Sequence, residues 1–512
     1  MKPTLSSDRY DASLSRPIFW YALAMFTLVL WPIINANRYY VDDMGRAETG
    51  FMGWSADGRP LANVLMEVLN LGTPLTDMAP LLQLLAIALL AFATVRIARH
   101  FGLNSPIVAV LAVFPLGASP FFLENLSYRF DALPMTAAVI LAVLPATAAG
   151  RVWRAGALAW GALLLVASLC FYQPATNVFV VLVLADVLVR QWHDHDWKEI
   201  LGLVAGRVAQ LGVALLVYKL IVAWKVKGAY SETHGKVDFP TLPETIVKNF
   251  DRFWRIAFDS LPGGMGRILI AVIILGVLIA ILVGGLYFVR TLRRADRPAA
   301  AAGFVLWLLI PAALLAAPWG ILLILADPVI NPRIMIGFGA VLCAALVLIA
   351  LLLQTLNIKP VWQRVVLAVP AVVMVMFAFI YGNALRLQNE FEARVSTSLA
   401  DDAADIVWRQ PGIERYMLDG SVGRPPIVAH YIAKYPLLAR LVPEHISAYW
   451  GWADAQLRMY GMTMDAVWAW KGTSPDLKRI CTMTPIEVDP HYRLYVLDNI
   501  LVISLNQGSI CR

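Results

Sequence analysis

Charged residues are scarce in this chain of 512 residues: Asp, Glu, Lys and Arg make up only 15% of it, and hydrophobic residues make up 59%. A soluble domain has roughly a quarter charged residues. The apolar runs are long and lack the alternation of membrane barrel strands, so the composition predicts a mainly α-helical, polytopic membrane protein. The sequence has no phosphate-binding glycine-rich loop, nucleotide fingerprint or zinc-type Cys/His spacing. An enzyme that uses a nucleotide sugar would need a cytosolic catalytic domain, and the inward loops are too short to form one.

Cysteine is also rare, and the four residues fall into two pairs by context. Cys170 and Cys343 lie in apolar runs, where a free cysteine behaves as a small hydrophobic residue. Cys481 and Cys511 lie in a polar C-terminal region, where a disulfide can persist outside the cytoplasm. The spacing alone leaves that disulfide open.

Apolar runs of membrane length predict about eleven spanning helices, at about 20 residues per span. They are expected at about 18–34, 79–96, 105–119, 133–149, 155–171, 174–190, 200–222, 266–289, 301–325, 334–353 and 364–381. Basic residues in the short loops concentrate on the side of the N-terminus, which is therefore predicted to be cytoplasmic. The net charge of +7 comes largely from these loops, so it does not indicate nucleic-acid binding.

The membrane module of residues 1–381 then has four outer loops, at 35–78, 119–132, 223–265 and 326–333. Short amphipathic helices are expected in two of them, at about 60–71 and 245–256. After residue 381 the long apolar runs stop, and residues 382–512 are predicted to form a periplasmic α/β domain. Its expected elements are a helix at about 390–410 and strands at 426–433 and 492–505.

Two adjacent carboxylates, Asp42 and Asp43, follow the first apolar run and are flanked by Arg38 and Arg46. Such dense charge is costly in hydrocarbon and natural at the rim of a membrane. Adjacent carboxylates on a loop cannot both point the same way, so they suit separate roles. One can accept a proton from an attacking hydroxyl while the other positions the acceptor or a divalent cation. The alternative is a solvated pair that merely ends a helix.

The sequence around these acids resembles a known family. The matching residues are Asp42-Asp43, Arg46, Gly50, Trp54, Gly58-Arg59-Pro60-Leu61, the block from Asn125 to Pro134, Gln173-Pro174-Ala175, Pro332-Arg333 and the block from Tyr381 to Ala384. Together they look like the bacterial serotype-converting O-antigen glucosyltransferases, Gtr type II. The resemblance implies a GT-C-type enzyme of the bacterial inner membrane. Such an enzyme takes a hexose, in this family glucose, from an undecaprenyl-phosphate carrier and modifies lipid-linked O-antigen in the periplasm. It would depend on a donor-synthesising glycosyltransferase and a flippase.

In such a reaction an acceptor hydroxyl loses its proton to Asp42 or Asp43 and attacks the anomeric carbon, and polyprenyl phosphate leaves as an anion. The leaving group needs a cation, because developing negative charge has few other partners at a membrane rim. Arginine candidates for substrate binding are Arg333 first, then Arg129, Arg59 and Arg46. Each could instead anchor to lipid headgroups.

Other side chains of the outer loops are candidates for completing the substrate site. They are Asp131, Glu124, His234 and Trp54, with Tyr128 and Tyr172 as further aromatics for sugar stacking. The structural alternatives are a helix cap for Asp131, a solvated side chain for His234 and interfacial anchoring for the aromatic residues.

Two other functions fit a polytopic protein with outward-facing polar loops. A transporter or flippase of lipid-linked sugars usually places ionisable groups near the bilayer midplane, and the predicted spans are nearly free of them. An O-antigen polymerase or ligase would more naturally use one large outer loop than a terminal domain and an acid pair in the first loop. Acids gathered at one face therefore favour the glycosyltransferase.

Overall fold

The computed structural model describes residues 11–150, 152–222, 226, 239–261, 263–468, 476–508 and 510–511. His234 lies outside these described residues. The chain divides into two compact units. The first comprises Met1–Trp31, Met52–Gly72 and Met78–Phe379, and the second comprises Pro32–Phe51, Thr73–Asp77 and Ile380–Arg512. The predicted division at residue 381 does not include the two first-loop segments of the second unit.

Helices occupy all eleven segments for which hydropathy predicts them. Among the described residues, eight helices are long and apolar enough to cross a membrane: Ala12–Ala36, Leu81–Phe101, Gln173–Trp192, Trp197–Ile221, Gly263–Arg293, Arg297–Ala316, Ile336–Thr355 and Pro360–Arg409. Four apolar helices are shorter: Pro60–Leu69, Pro106–Ala118, Ala132–Ala146 and Ala155–Phe171. The structure is therefore that of a helical membrane protein, and the number of crossings stays a prediction.

Two predicted helix ends are wrong. The helix expected at 301–325 ends at Ala316 because Pro318 follows it and cannot continue the helical hydrogen bonding. A separate 3₁₀ turn, Gly320–Ile324, comes next. The helix expected to end at residue 381 instead continues as Pro360–Arg409, since no proline interrupts it after Pro370 and the amphipathic segment near 390–410 extends the same helix.

The core of the first unit contains the helix Ile336–Thr355, which is apolar on all sides and buried over most of its length. It contacts Gln173–Trp192 and Gly263–Arg293. A Cβ at Gly276 would lie 2.5 Å from the Cβ of Ala345, so glycine permits this close helix packing. The predicted helix near 245–256 is confirmed and is longer, Leu242–Ser260.

A five-stranded sheet lies in the second unit, in the order β2-β1-β5-β4-β3. The strands are β1 (Arg415–Asp419), β2 (Asp465–Ala466), β3 (Glu487–Val488), β4 (Tyr492–Leu497) and β5 (Ile500–Leu505). Strand β1 pairs in parallel with β2 and β5, and the other pairs are antiparallel. The expected strands at 492–505 are thus the hairpin β4–β5. Asp498 and Asn499 have φ of 50° and 59° at its tip, as a two-residue turn of this kind requires.

The strand expected at 426–433 is wrong, because this segment is the helix Pro426–Lys434. A short apolar run fits either period, and Pro426 at the first helical position favours a helix start. Helix residues such as Leu399 and Ile406 pack against sheet residues such as Leu494 and Ile503 to form the core. Cys481 and Cys511 form a disulfide.

Candidate functional site

Arg59 and Asp131 form half of a polar cluster in the first unit. The indole Nε1 of Trp54 donates a hydrogen bond of 2.6 Å to Asp131 Oδ1, and Arg59 Nη1 lies 3.8 Å from the same oxygen. Asp131 precedes the helix Ala132–Ala146, yet its side chain makes no cap hydrogen bond there. Trp54 is fully buried beneath the cluster. The carboxylate therefore holds the arginine rather than the helix end.

Arg333 and Glu124 form the other half. The backbone N–H of Arg333 donates to Glu124 Oε2 at 2.6 Å, and its guanidinium lies 3.8 Å from Glu124 Oε1. The same guanidinium donates to the hydroxyl of Tyr128. Arg333 lies in a 3₁₀ turn that begins at Pro332, and this turn fixes the position of its backbone. About a fifth of each arginine is exposed, 20% for Arg59 and 18% for Arg333.

Tyr172 connects the two halves. Its ring lies under the guanidinium of Arg59, with 4.7 Å from Cζ to the ring centroid. Its hydroxyl donates to the backbone oxygen of Arg333 at 3.0 Å. Burial raises the pKa of Tyr172 to about 12, although both arginines oppose this shift. The phenol therefore stays neutral at physiological pH and keeps the proton that this hydrogen bond needs.

The backbone before Arg59 is held by two side chains. Gln173 Nε2 donates to the backbone oxygen of Asp57 at 3.0 Å, and the hydroxyl of Tyr218 donates to the backbone oxygen of Gly58 at 2.9 Å. Gly58 has φ +75°, and a Cβ there would lie 2.4 Å from that hydroxyl. Only glycine fits both constraints, so the position of Arg59 depends on it.

The adjacent acids belong to the second unit and differ in environment. Asp42 is exposed, whereas Asp43 is fully buried and accepts the backbone N–H of Tyr40 at 3.2 Å. Asp43 begins the helix Asp43–Thr49, in which Arg46 is buried with its Cζ 5.5 Å from the ring centroid of Phe51. The structure thus gives the two neighbouring carboxylates different surroundings.

The segment before the acids is anchored by residues far away in sequence. Arg38 Nη2 donates to Glu392 Oε2 at 2.6 Å and to the oxygen of Pro443 at 2.8 Å. The hydroxyl of Tyr40 donates to the oxygen of Leu441 at 2.9 Å. Between these anchors and Asp42, Val41 has φ +50°, a region that β-branched residues rarely adopt. The anchors impose this conformation.

The structure therefore brings most of the predicted residues into two groups. Arg59, Asp131, Trp54, Glu124 and Arg333 form one cluster in the first unit, and Arg129 lies partly exposed in the turn that follows Tyr128. Asp42, Asp43 and Arg46 lie in the second unit. Within the described part of the chain, no group of three or more His, Cys, Asp or Glu side chains could hold a metal ion, and no cation site is assigned.

The sequence did not indicate Glu392 as a partner for Arg38. A glutamate in a long amphipathic helix ordinarily faces water, and only its apolar neighbours Leu385, Val395 and Leu399 on the same helix hint at a buried face.

Fold and site together define a polytopic helical membrane protein with arginines held on buried carboxylates and a separate acid pair. A comparison with protein families places it more narrowly. The family described as Glucosyl transferase GtrII matches residues 31–344, more than half of the chain, and the chain belongs to this family. The predicted resemblance is confirmed. Membership indicates a membrane glycosyltransferase that acts in the modification of O-antigen.

Another relative has no assigned function. The chain is 25% identical over 445 residues to an uncharacterized 55.3 kDa protein in the gtrB 5′ region of Salmonella phage P22. The alignment covers 85% of this chain and 88% of the phage protein. No solved structure matches the chain.

Proposed function

We propose that this protein transfers a glucosyl group from a polyprenyl-phosphate carrier to lipid-linked O-antigen on the periplasmic side of the bacterial inner membrane. Family membership supports glucosyl transfer. The observation that carries the proposal furthest is the pair Arg59 and Arg333. Each guanidinium lies 3.8 Å from a buried carboxylate and is still about one-fifth exposed. Two oriented guanidiniums at a polar cluster suit a phosphate group, which they can bind with several N–H donors each.

Asp42 is the general base in this proposal. It is the exposed member of the acid pair, so a sugar hydroxyl can reach it. Asp43 is buried against the backbone N–H of Tyr40 and positions the segment instead. This assigns the two carboxylates the separate roles that their adjacency suggests.

The reaction then follows from these assignments. The acceptor hydroxyl gives its proton to Asp42 while its oxygen forms a bond to the anomeric carbon. The bond between that carbon and the phosphate oxygen breaks, and the electron pair leaves with polyprenyl phosphate. Arg333 and Arg59 stabilise the negative charge that develops on the leaving phosphate.

The acid assignment is tested with Asp42→Asn and Asp43→Asn in a host whose O-antigen reports the modification. Asp42→Asn is expected to lower transfer by about 10²–10⁴-fold, the usual contribution of a general base. Asp57→Asn is the matched control, because Asp57 is an exposed acid of the same loop, and the substitution keeps the backbone oxygen that Gln173 contacts. Membrane levels of each variant are measured by immunoblot. Full activity in Asp42→Asn would remove the assignment of the base, and full activity in Asp43→Asn would remove the positioning role.

The phosphate assignment is tested with Arg333→Gln and Arg59→Gln in a purified system with polyprenyl-phosphate glucose as donor. Loss of one such donor is expected to lower kcat by about 10²–10³-fold. Arg252→Gln is the control, because Arg252 pairs with Asp327 and about half of each side chain is exposed. Wild-type activity in both variants would contradict the proposal.

The same assay separates chemistry from transport. In detergent micelles there are no two compartments, so a flippase would yield no glucosylated acceptor, whereas a transferase would. Lack of transfer in micelles by a folded protein with donor and acceptor present would favour transport.

A further inference from the structure

A cavity of about 390 Å³ opens on the first unit. The described residues that line it do not include any residue of the polar cluster around Arg59 and Arg333. Its walls include the apolar residues Ala148 and Val152 and the side chains of Trp160, Leu164, Arg96 and Arg207. Trp160 is 60% exposed at the rim. Most of the lining is apolar, so two arginines stand out in it.

Arg207 is an unusual residue for its position. It lies ten residues into the candidate span Trp197–Ile221 and is only 3% exposed. A charged side chain within such a helix is costly unless a partner neutralises it, and it marks a functional site by default. Its guanidinium donates to the backbone oxygen of Ala148 at 3.1 Å and to Gln210 Oε1 at 3.0 Å, and both of these acceptors are neutral.

No carboxylate of the described residues lies within 4.0 Å of either cavity arginine. The buried Asp186 contacts His100 and Arg190 instead, at 3.4 and 3.1 Å. The Nε atoms of Arg96 and Arg207 are buried and have no hydrogen-bond partner among the described residues. The described lining of the cavity therefore has two arginines and no acidic side chain.

The surroundings fix Arg207 in this orientation. Gln210 Nε2 donates to the oxygen of Ala157 at 2.9 Å, which turns its Oε1 toward Arg207. A Cβ at Gly161 would lie 2.1 Å from Gln210 Nε2, so glycine makes room for the glutamine. These contacts hold the guanidinium of Arg207 in this orientation, so it does not turn toward water.

We propose that this cavity binds the phosphate of an anionic phospholipid, with Arg96 and Arg207 as its ligands and an acyl chain along Leu164 and Trp160. Guanidiniums match phosphate oxygens, and the apolar walls match the chain. Basic pockets between spanning helices on the cytoplasmic side are typical sites for anionic headgroups, and the loop after residue 147 is predicted to lie on that side. The site is separate from the proposed catalytic residues and does not depend on their assignment.

The test is native mass spectrometry of the delipidated full-length protein, titrated with phosphatidylglycerol, diacylglycerol or inorganic phosphate. Phosphatidylglycerol is expected to bind, and diacylglycerol is not. Arg96→Gln and Arg207→Gln are expected to weaken binding by about tenfold or more, as loss of a charged hydrogen bond predicts. Ala157→Phe fills the cavity from an exposed helix position and tests it without removing charge.

Arg99→Gln is the matched control, since Arg99 is exposed one turn further along the same helix and does not line the cavity. Its affinity for phosphatidylglycerol is expected to equal that of the wild type. Unchanged binding in Arg96→Gln and Ala157→Phe would overturn the proposal even if Arg207→Gln fails to fold. Displacement of the lipid by equimolar inorganic phosphate would show a free-phosphate site and would also overturn it.

Discussion

Replacing Glu392 with glutamine is expected to destabilise the second unit by about 3 kcal/mol, within the usual cost of breaking a buried ion pair. The side chains of Arg38 and Glu392 are 1% and 0% exposed, and their closest atoms are 2.6 Å apart. If the new amide nitrogen replaces Oε2, it faces Arg38 Nη2, another donor. The guanidinium then stays buried without its carboxylate.

The opposite amide orientation does not rescue the variant. Oε1 of Glu392 accepts from Gln388 Nε2 at 3.0 Å and from the backbone N–H of His445 at 2.8 Å. An amide nitrogen there would lose both hydrogen bonds. The carboxylate charge is also lost in either orientation, so Arg38 loses this ion-pair partner in both.

Hydrogen exchange of the His445 amide, measured by mass spectrometry on the full chain, is the assay. A loss of about 3 kcal/mol corresponds to exchange faster by about a hundredfold. Glu390→Gln is the control on the same helix, because Glu390 pairs with Arg386 at half-exposed positions and such pairs contribute at most about 1 kcal/mol. Equal exchange rates in Glu392→Gln and Glu390→Gln would refute the reasoning.

Burial, and next the charge of Arg38, hold the pKa of His445 well below its usual value. At acidic pH the unfolded chain therefore binds a proton that the folded chain does not. The free energy of unfolding is expected to fall as pH drops below about 6.5, by at most about 1.4 kcal/mol per pH unit. His445→Gln should flatten thermal stability in this range. Trp54→Phe removes the hydrogen bond to Asp131 and should raise the donor KM. Gly58→Ala should cost at least about 1–2 kcal/mol from backbone strain, seen as a lower Tm.

An unchanged acid limb of the stability curve in His445→Gln would assign the pH dependence to other groups. Wild-type kinetics in Trp54→Phe would mean that the hydrogen bond from Trp54 to Asp131 is not needed for donor binding, which would contradict the prediction. For Gly58→Ala the comparison is Gly212→Ala, where a Cβ meets nothing within 4 Å; equal Tm values would contradict the strain argument.

Local patterns predicted the parts of this fold that local physics determines. Apolar runs located the eight described helices long enough to span a membrane, because burying a hydrogen-bonded backbone in lipid leaves few other solutions. The alternation around Asp498-Asn499 located the hairpin. The same reasoning failed at Pro426–Lys434, where a run of eight or nine residues fits two periods and tertiary packing decides.

The sequence could not predict which residues far apart in the chain contact each other in the fold. Arg38 meets Glu392 across 354 residues, and Tyr172 meets Arg333 across 161. No periodicity records such pairs, because each side chain looks like an ordinary loop or helix residue in its own segment. The sequence nevertheless singled out the arginines, acids and aromatics that cluster in the first unit, since charged and aromatic side chains are rare between apolar runs. Their partners required the structure.

The disulfide between Cys481 and Cys511 makes the C-terminal region an internal reporter of compartment. Such bonds persist in oxidising surroundings and are rare in the cytosol. Blocking free thiols in intact cells and comparing electrophoretic mobility with and without reductant would therefore reveal on which side of the membrane this region resides, without a tag or fusion. A fully reduced pair in growing cells would place it in the cytosol and would reverse the orientation on which the glucosyl-transfer proposal depends.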